Sequence, residues 1–179
     1  MVHKQPVYIF LPIDKTENQV SKSLLSKSID VQPPVDSTAE DAAIEDILGA
    51  LYRAKKPSLY VDYFSNRCGS VETQTLIDKL KLPYYSAHMG KGAFSEDDKN
   101  YVGMYNGAIT APGVAKELES CDFVISVGWF PIDTNTSFFS RRIPDEIRVD
   151  IMPDHVNVCC ECFCCESLTH SAAVPRQTL

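Results

Sequence analysis

Short runs of β-forming residues alternate along this chain with amphipathic helical stretches, and that order limits the possible folds more than any other feature. Phe123-Val-Ile-Ser-Val127 reads most clearly as a buried strand and is stopped by Gly128. Residues 6–12, 58–62, 84–87 and 147–151 read as further strands. Between them, Ile44, Ile47, Leu48 and Leu51 recur at helical spacing, as do Thr73, Leu76, Ile77 and Leu80. A short helix is predicted over 114–120, with Pro112 near its start. Ser37 and Glu40 form a capping-box pattern ahead of the first helix, and Lys55, Lys56 and Pro57 close it. Residues 15–34 read as a linker ending in Pro33-Pro34, 66–70 as a turn containing Gly69, and 89–113 as a long glycine-rich stretch. Strands alternating with helices favour an α/β fold: a doubly wound, mainly parallel Rossmann-like sheet with helices on both faces.

The 179 residues, 44% of them hydrophobic, are enough for one compact domain and too few for two well-built ones. A net charge of −7 without a basic cluster argues against nucleic acid as a partner. No apolar run reaches the roughly 20 residues that span a bilayer, and the start of the chain lacks the apolar stretch of a secretory signal. The expectation is a cytoplasmic protein with no membrane contact, so the seven cysteines are not read as a disulfide framework.

Open α/β sheets bind ligands at the carboxyl ends of their strands, so the loops after Asp62, Ala87 and Val127 are the places to search. His88-Met-Gly-Lys-Gly92 fails the phosphate-loop motif, because Tyr85 stands at the first glycine position and Gly92 follows the lysine. The dinucleotide fingerprint fails as well, with Ser95 in place of its third glycine. A plain loop is the simpler reading of that stretch, against a phosphate cradle. Asp133, Thr134, Asn135 and Thr136 sit where such a sheet would hold a ligand, or make local turns. Asp62 either points into the crevice or caps the loop that follows it. His88 has no Cys or Ser nucleophile at a motif spacing, and Val124 stands where a nucleophile elbow around Ser126 needs glycine. Cys159, Cys160, Cys162, Cys164 and Cys165 contain two C-x-x-C steps, flanked by His155 and His170, which is suitable thiolate spacing for zinc without the second ligand pair of a structural site.

Several of these segments, in order and spacing, resemble fungal-type pyruvate decarboxylases, thiamine-diphosphate-dependent 2-oxo acid decarboxylases. They are Val7-Tyr-Ile-Phe-Leu-Pro12, Ala54-Lys-Lys-Pro57 with the strand ending in Asp62, Met89-Gly-Lys-Gly92 and Tyr101-Val-Gly-Met-Tyr-Asn-Gly107. Glu119-Ser-Cys-Asp122, the strand through Gly128, and Asp133-Thr-Asn-Thr136 with Phe138 and Ser140 continue the match. The resemblance covers about residues 6–158 and implies the following division of the chain. Residues 1–14 would be a remnant of a pyrimidine-binding domain, 15–34 a linker, 35–155 the central domain and 156–179 an unmatched cysteine-rich tail. The parent reaction would convert a 2-oxo acid to an aldehyde and carbon dioxide with thiamine diphosphate and magnesium.

In that family the activating glutamate and the Gly-Asp-Gly…Asn magnesium motif lie in the two flanking domains, and no Gly-Asp-Gly occurs here. The resemblance therefore assigns no catalytic, cofactor-binding or metal-binding residue to this chain, which is expected to be inactive alone and to hold no cofactor. Phe64 occupies the place of a regulatory cysteine found in some members, and 89–107 corresponds to a loop region linked to activation. The loss of pattern after Val158 reads as an altered reading frame, a retained intron or a faulty gene prediction. Residues 6–12, deprived of their own sheet, are expected to be poorly anchored or exposed, and the central sheet to leave an apolar face open. The competing expectations are a Rossmann-like module binding FAD or ADP, and a fragment that binds full-length decarboxylase subunits, which form homo-oligomers in the family.

Overall fold

A computed structural model describes residues 8–26, 36–153 and 155–158. Its centre is a six-stranded sheet in the order β3-β2-β1-β4-β5-β6. The strands are β1 (Pro57–Val61), β2 (Tyr84–Ser86), β3 (Tyr101–Met104), β4 (Phe123–Val127), β5 (Arg148–Ile151) and β6 (Val156–Val158). All neighbours pair in parallel except β6, which runs antiparallel to β5. Three helices accompany it: α1 (Ser37–Arg53), α2 (Tyr63–Leu80) and α3 (Pro112–Glu119).

Alternation along each strand sorts the core into two layers. Leu59, Val61, Ile125 and Val149 pack with Ala50 of α1 and Ile77 of α2, while Tyr60, Tyr85 and Val124 pack with Leu118 of α3. The helices therefore cover both faces, and the expected doubly wound α/β fold is the one observed. The chain leaves β1 through α2 toward β2 on one side and returns from β3 through α3 to β4 on the other. Between β1 and β4 lies the switch point at which such sheets open a crevice.

Strands β1 and β2 and helix α3 end within two residues of their predicted bounds, and other differences lie elsewhere. Asp36, not Ser37, caps α1: its carboxylate accepts hydrogen bonds from Thr38 N (3.1 Å) and Ala39 N (3.2 Å). Residues 66–70 are not a separate turn but part of α2, which kinks where Gly69 leaves helical geometry. The glycine-rich stretch contains a strand, β3, and a 3-10 turn at Gly107–Ile109. The strand predicted from Ile147 starts at Arg148, because Ile147 closes a 3-10 turn. Val156–Val158, placed in the tail by the division above, pairs with β5.

The buried strand read over residues 6–12 is not formed within its described part. Residues 8–12 carry no strand, and Tyr8, Ile9, Phe10 and Leu11 are exposed. Residues 13–15 and 22–26 of this exposed segment form 3-10 turns. The cysteines 159–165 and His170 lie outside the described residues.

The core is rich in tyrosine, and burial raises several of these phenols. Tyr84 and Tyr105 are pushed up to about 12, and Tyr60 and Tyr85 are also raised. A folded value above the ordinary one near 10 means the native state holds these protons more tightly than the unfolded chain. Stability should therefore be unaffected by these groups below about pH 10 and fall as pH rises from about 10 to 12. Tyrosinate absorbance followed together with circular dichroism checks this: the buried phenols should ionise only as the fold is lost. Ionisation of all eight tyrosines with the dichroism intact would contradict it.

Candidate functional site

Asp62 stands at the carboxyl end of β1, at the switch point, and is fully buried. Its position follows from its neighbours. Tyr60 and Val61 complete the strand, and the Asp62 carboxylate caps α2 by accepting from Tyr63 N at 2.7 Å. The loop after β4 closes over it. Phe130 N donates to Oδ2 at 2.9 Å, Asn135 Nδ2 to Oδ1 at 2.6 Å, and Arg141 Nη1 to Oδ2 at 3.0 Å. Four donors and one guanidinium charge leave this carboxylate no open lone-pair direction toward a ligand.

Asn135 extends the network. Its amide also donates to Phe130 O at 2.8 Å, and its Oδ1 accepts from Met89 N at 2.9 Å. Arg141 Nη2 donates to Asn135 O at 2.6 Å. The loops after β1, β2 and β4, the three named by the sequence as places to search, thus meet on one carboxylate–amide–guanidinium cluster. Asp133–Thr136 makes local turn bonds and contacts to the protein's own crevice residues. Thr136 Oγ1 donates to Ile132 O at 2.7 Å as a local turn bond, while Asn135 is buried in the crevice.

Aromatic rings flank the cluster. The Arg141 guanidinium lies 4.7 Å from the Trp129 ring and 5.0 Å from that of Tyr60. Arg148 lies 4.1 Å from the Trp129 ring and grips Asp150 through Nε (2.8 Å) and Nη2 (3.1 Å). Burial holds the Tyr60 hydroxyl well above its ordinary value, with Arg141 pulling the other way. Tyr60 donates to Tyr105 O at 3.3 Å, and Tyr105 donates to Glu119 Oε1 at 2.9 Å while accepting from Arg142 N at 2.8 Å. These contacts neutralise buried charges in pairs and fix the loops.

The other sequence candidates stand apart from this cluster. His88 is exposed. Lys91 Nζ donates to Glu96 at 2.6 Å, which raises the ammonium above its ordinary value. Gly90 is needed for packing, not for a phosphate: a Cβ there would sit 2.6 Å from Val61 O. The Gly90 N–H donates to Ala87 O at 3.1 Å and the Lys91 N–H to His88 O at 3.4 Å, so these amides are turned inward. Trp129, Arg141 and the Arg148–Asp150 pair carry no motif, and Tyr105 stood only within the quoted segment Tyr101–Gly107 with no role read for it. The lone tryptophan directly after Gly128 was the one available signal.

On the opposite face, an open groove of about 570 Å³ lies between α1, α2 and the carboxyl ends of β4 and β5. Ile44, Phe64, Cys68, Leu76, Val127 and Met152 line it, with Glu40 and Glu72 adding two carboxylates. Among the described residues, no three His, Cys, Asp or Glu side chains gather in an arrangement that could hold a metal ion. Asp62 and Asp150, the buried carboxylates, are committed to arginines. The described residues do not offer a carboxylate set free to anchor a magnesium diphosphate. No described helix is long and apolar enough to cross a membrane.

Fold and site define a class: a doubly wound α/β domain whose switch-point crevice is filled by its own side chains. The model for the central domain of thiamine pyrophosphate enzymes matches residues 44–159, and the chain belongs to that family. It is 36% identical over 159 residues to a pyruvate decarboxylase of Aspergillus terreus and 34% to one of Kluyveromyces lactis. It is also 32% identical over 157 residues to pyruvate decarboxylase isozyme 2 of Saccharomyces cerevisiae. The matches with the A. terreus and K. lactis relatives cover 88% of this chain, and the chain spans 28% of their length.

Proposed function

We propose that this chain is the central-domain portion of a pyruvate-decarboxylase-type subunit, serving as scaffold and not as catalyst. The observation that carries this reading is the similarity to pyruvate decarboxylases along 88% of the chain, centred on a domain whose crevice is sealed by Asp62, Asn135 and Arg141. The parent reaction would take one proton and a 2-oxo acid to an aldehyde and carbon dioxide. Thiamine diphosphate with magnesium would supply the electron sink for that carbon–carbon cleavage. None of those steps runs through a residue of this chain. A cytosolic setting belongs to the same proposal and rests on the sequence alone. The nucleotide-module reading finds less support, since the crevice is filled and Glu40 and Glu72 would repel a diphosphate from the groove.

Two preparations test the proposal. The pure chain, given pyruvate, thiamine diphosphate and magnesium, should release no acetaldehyde above the buffer rate. A chimera in which residues 36–158 replace the matching segment of the A. terreus enzyme should fold and release acetaldehyde in a coenzyme-dependent way. Acetaldehyde from the chain alone, or a folded chimera with no activity, would contradict the scaffold reading.

A further inference from the structure

Asn106 is the only asparagine of the chain followed by glycine. Such a pair carries its own reaction, because a glycine has no Cβ to keep its amide off the preceding side-chain carbonyl. Gly107 N attacks Asn106 Cγ, and the side-chain nitrogen leaves as ammonia with the amide proton, which closes a five-membered imide. Water then opens either imide carbonyl to aspartate or isoaspartate. In sum, asparagine and water give the acid and ammonia. The fold forbids the first step. Asn106 has ψ 59°, which sets Gly107 N nearly anti to Cβ, whereas ring closure needs the two eclipsed, half a turn away. Asn106 is also only 2% exposed, so water has little access to it.

Hydrogen bonds hold that torsion. Asn106 N donates to Thr110 Oγ1 at 2.7 Å, and Thr110 N to Gly107 O at 3.1 Å. Ala108 N donates to Ser140 Oγ at 2.8 Å, which ties the turn to the loop after β4. The glycine itself is required: it has φ 54°, and a Cβ there would lie 2.8 Å from Thr136 O. These ties sit at a weak margin of the sheet. The turn follows β3, a four-residue edge strand whose single neighbour is β2, and the register of that pair shifts between Tyr84 and Tyr85. Short edge units of this kind open at a lower free energy than the core.

We propose that Asn106 is a modification site gated by opening of the β3 edge: the closed fold protects it, the opened segment deamidates, and the product resists reclosure. The last step follows from the burial of the side chain. Asn106 Oδ1 is buried and receives no hydrogen bond among the described residues. A carboxylate in its place would be an uncompensated charge in a dry site. The isoaspartyl form would in addition insert a methylene into the backbone just ahead of Gly107, where the turn has no slack. A transient opening is thereby fixed as a lasting one. Nothing in this depends on the decarboxylase reading.

Peptide mapping by mass spectrometry tests it, with the full chain incubated in mildly alkaline buffer, folded or unfolded in guanidinium chloride. Conversion of Asn106 to the two acids should be at least about tenfold slower in the folded chain, because only the open population reacts. Thr110→Val, folded by circular dichroism, removes one tie of the turn and should raise the folded-chain rate roughly 2–10-fold, with the unfolded rate unchanged. Asn106→Asp, which has the charge of the product, should unfold at a lower denaturant concentration than the parent chain. Equal rates in the folded and unfolded chain, or no conversion in the unfolded one, overturn the proposal. An unchanged rate in folded Thr110→Val overturns the gate, and an unchanged unfolding midpoint for Asn106→Asp overturns the resistance to reclosure.

Discussion

Asp62→Ala should remove about 3–5 kcal/mol of folding stability, the range for leaving one member of a buried ion pair uncompensated. The reason is the number of groups that depend on this carboxylate. Arg141, with its side chain 4% exposed, would keep its charge in a dry site with only the Asn135 carbonyl and two aromatic faces for company. The Asn135 amide and the backbone N–H groups of Tyr63 and Phe130 would lose an acceptor at the same time. Since Met89 N rests on Asn135, three loops loosen together. Urea unfolding measures the loss directly. Arg141→Met in a companion variant should cost less, because it leaves the carboxylate with its three N–H donors. A loss under about 1 kcal/mol for Asp62→Ala would place the cluster among contacts of surface strength.

Gly128→Ala should be of comparable severity, roughly 3–5 kcal/mol from left-handed strain and overpacking together. Gly128 has φ +73°, and a Cβ there would lie 2.2 Å from Ser65 N and 2.7 Å from Phe64 C. Those are backbone atoms in the first turn of α2, so no side-chain rotation relieves the clash. The residue also joins neighbouring elements: Gly128 N donates to Ile151 O at 2.8 Å and its carbonyl accepts from Phe64 N at 3.2 Å. Thermal unfolding of the variant should show a depressed and broadened transition, or no folded material. By contrast, Gly92→Ala, at φ +75° with nothing within 4 Å, should show the strain alone and cost about 1–2 kcal/mol. Equal losses at the two positions would rule out the steric part of the argument.

The main strands and helices were legible because their signals are local. Phe123–Val127 is a run of β-formers ending at glycine, and it forms β4 over those same residues. The helical faces through Ile47, Leu51, Leu76 and Ile77 pack against the core as their spacing requires. β3 and β6 were hidden by their length and place. Each is an edge strand of four or three residues, and β3 carries Gly103 within it. Residues 66–70 have turn-like composition, and it shows only as the kink where Gly69 leaves helical geometry within α2. Asp36 and Ser37 are both good caps, and only the reach of the Asp36 carboxylate to two backbone amides decides between them.

Topology led to the three loops that meet at Asp62, but what they bring together was not legible. The Asp62–Asn135 and Asp62–Arg141 contacts join residues 73 and 79 positions apart, and no spacing rule connects such pairs. The position of Asp133–Thr136 after the strand 123–127 did not say that Asn135 turns inward. What closes the site is therefore a tertiary fact, made by three loops that meet only after the sheet has formed.

The central claim is that this crevice is structural and takes neither coenzyme nor nucleotide. Trp129, the single tryptophan of the chain, stacks on Arg141 and Arg148 at its mouth and reports on it directly. Calorimetric titration of the pure chain with thiamine diphosphate and magnesium, and separately with ADP and FAD, should give no saturable heat, and ADP should leave tryptophan emission unchanged. Stoichiometric binding of any of the three, accompanied by a shift in Trp129 emission with thiamine diphosphate or ADP, would show the crevice open and contradict the account.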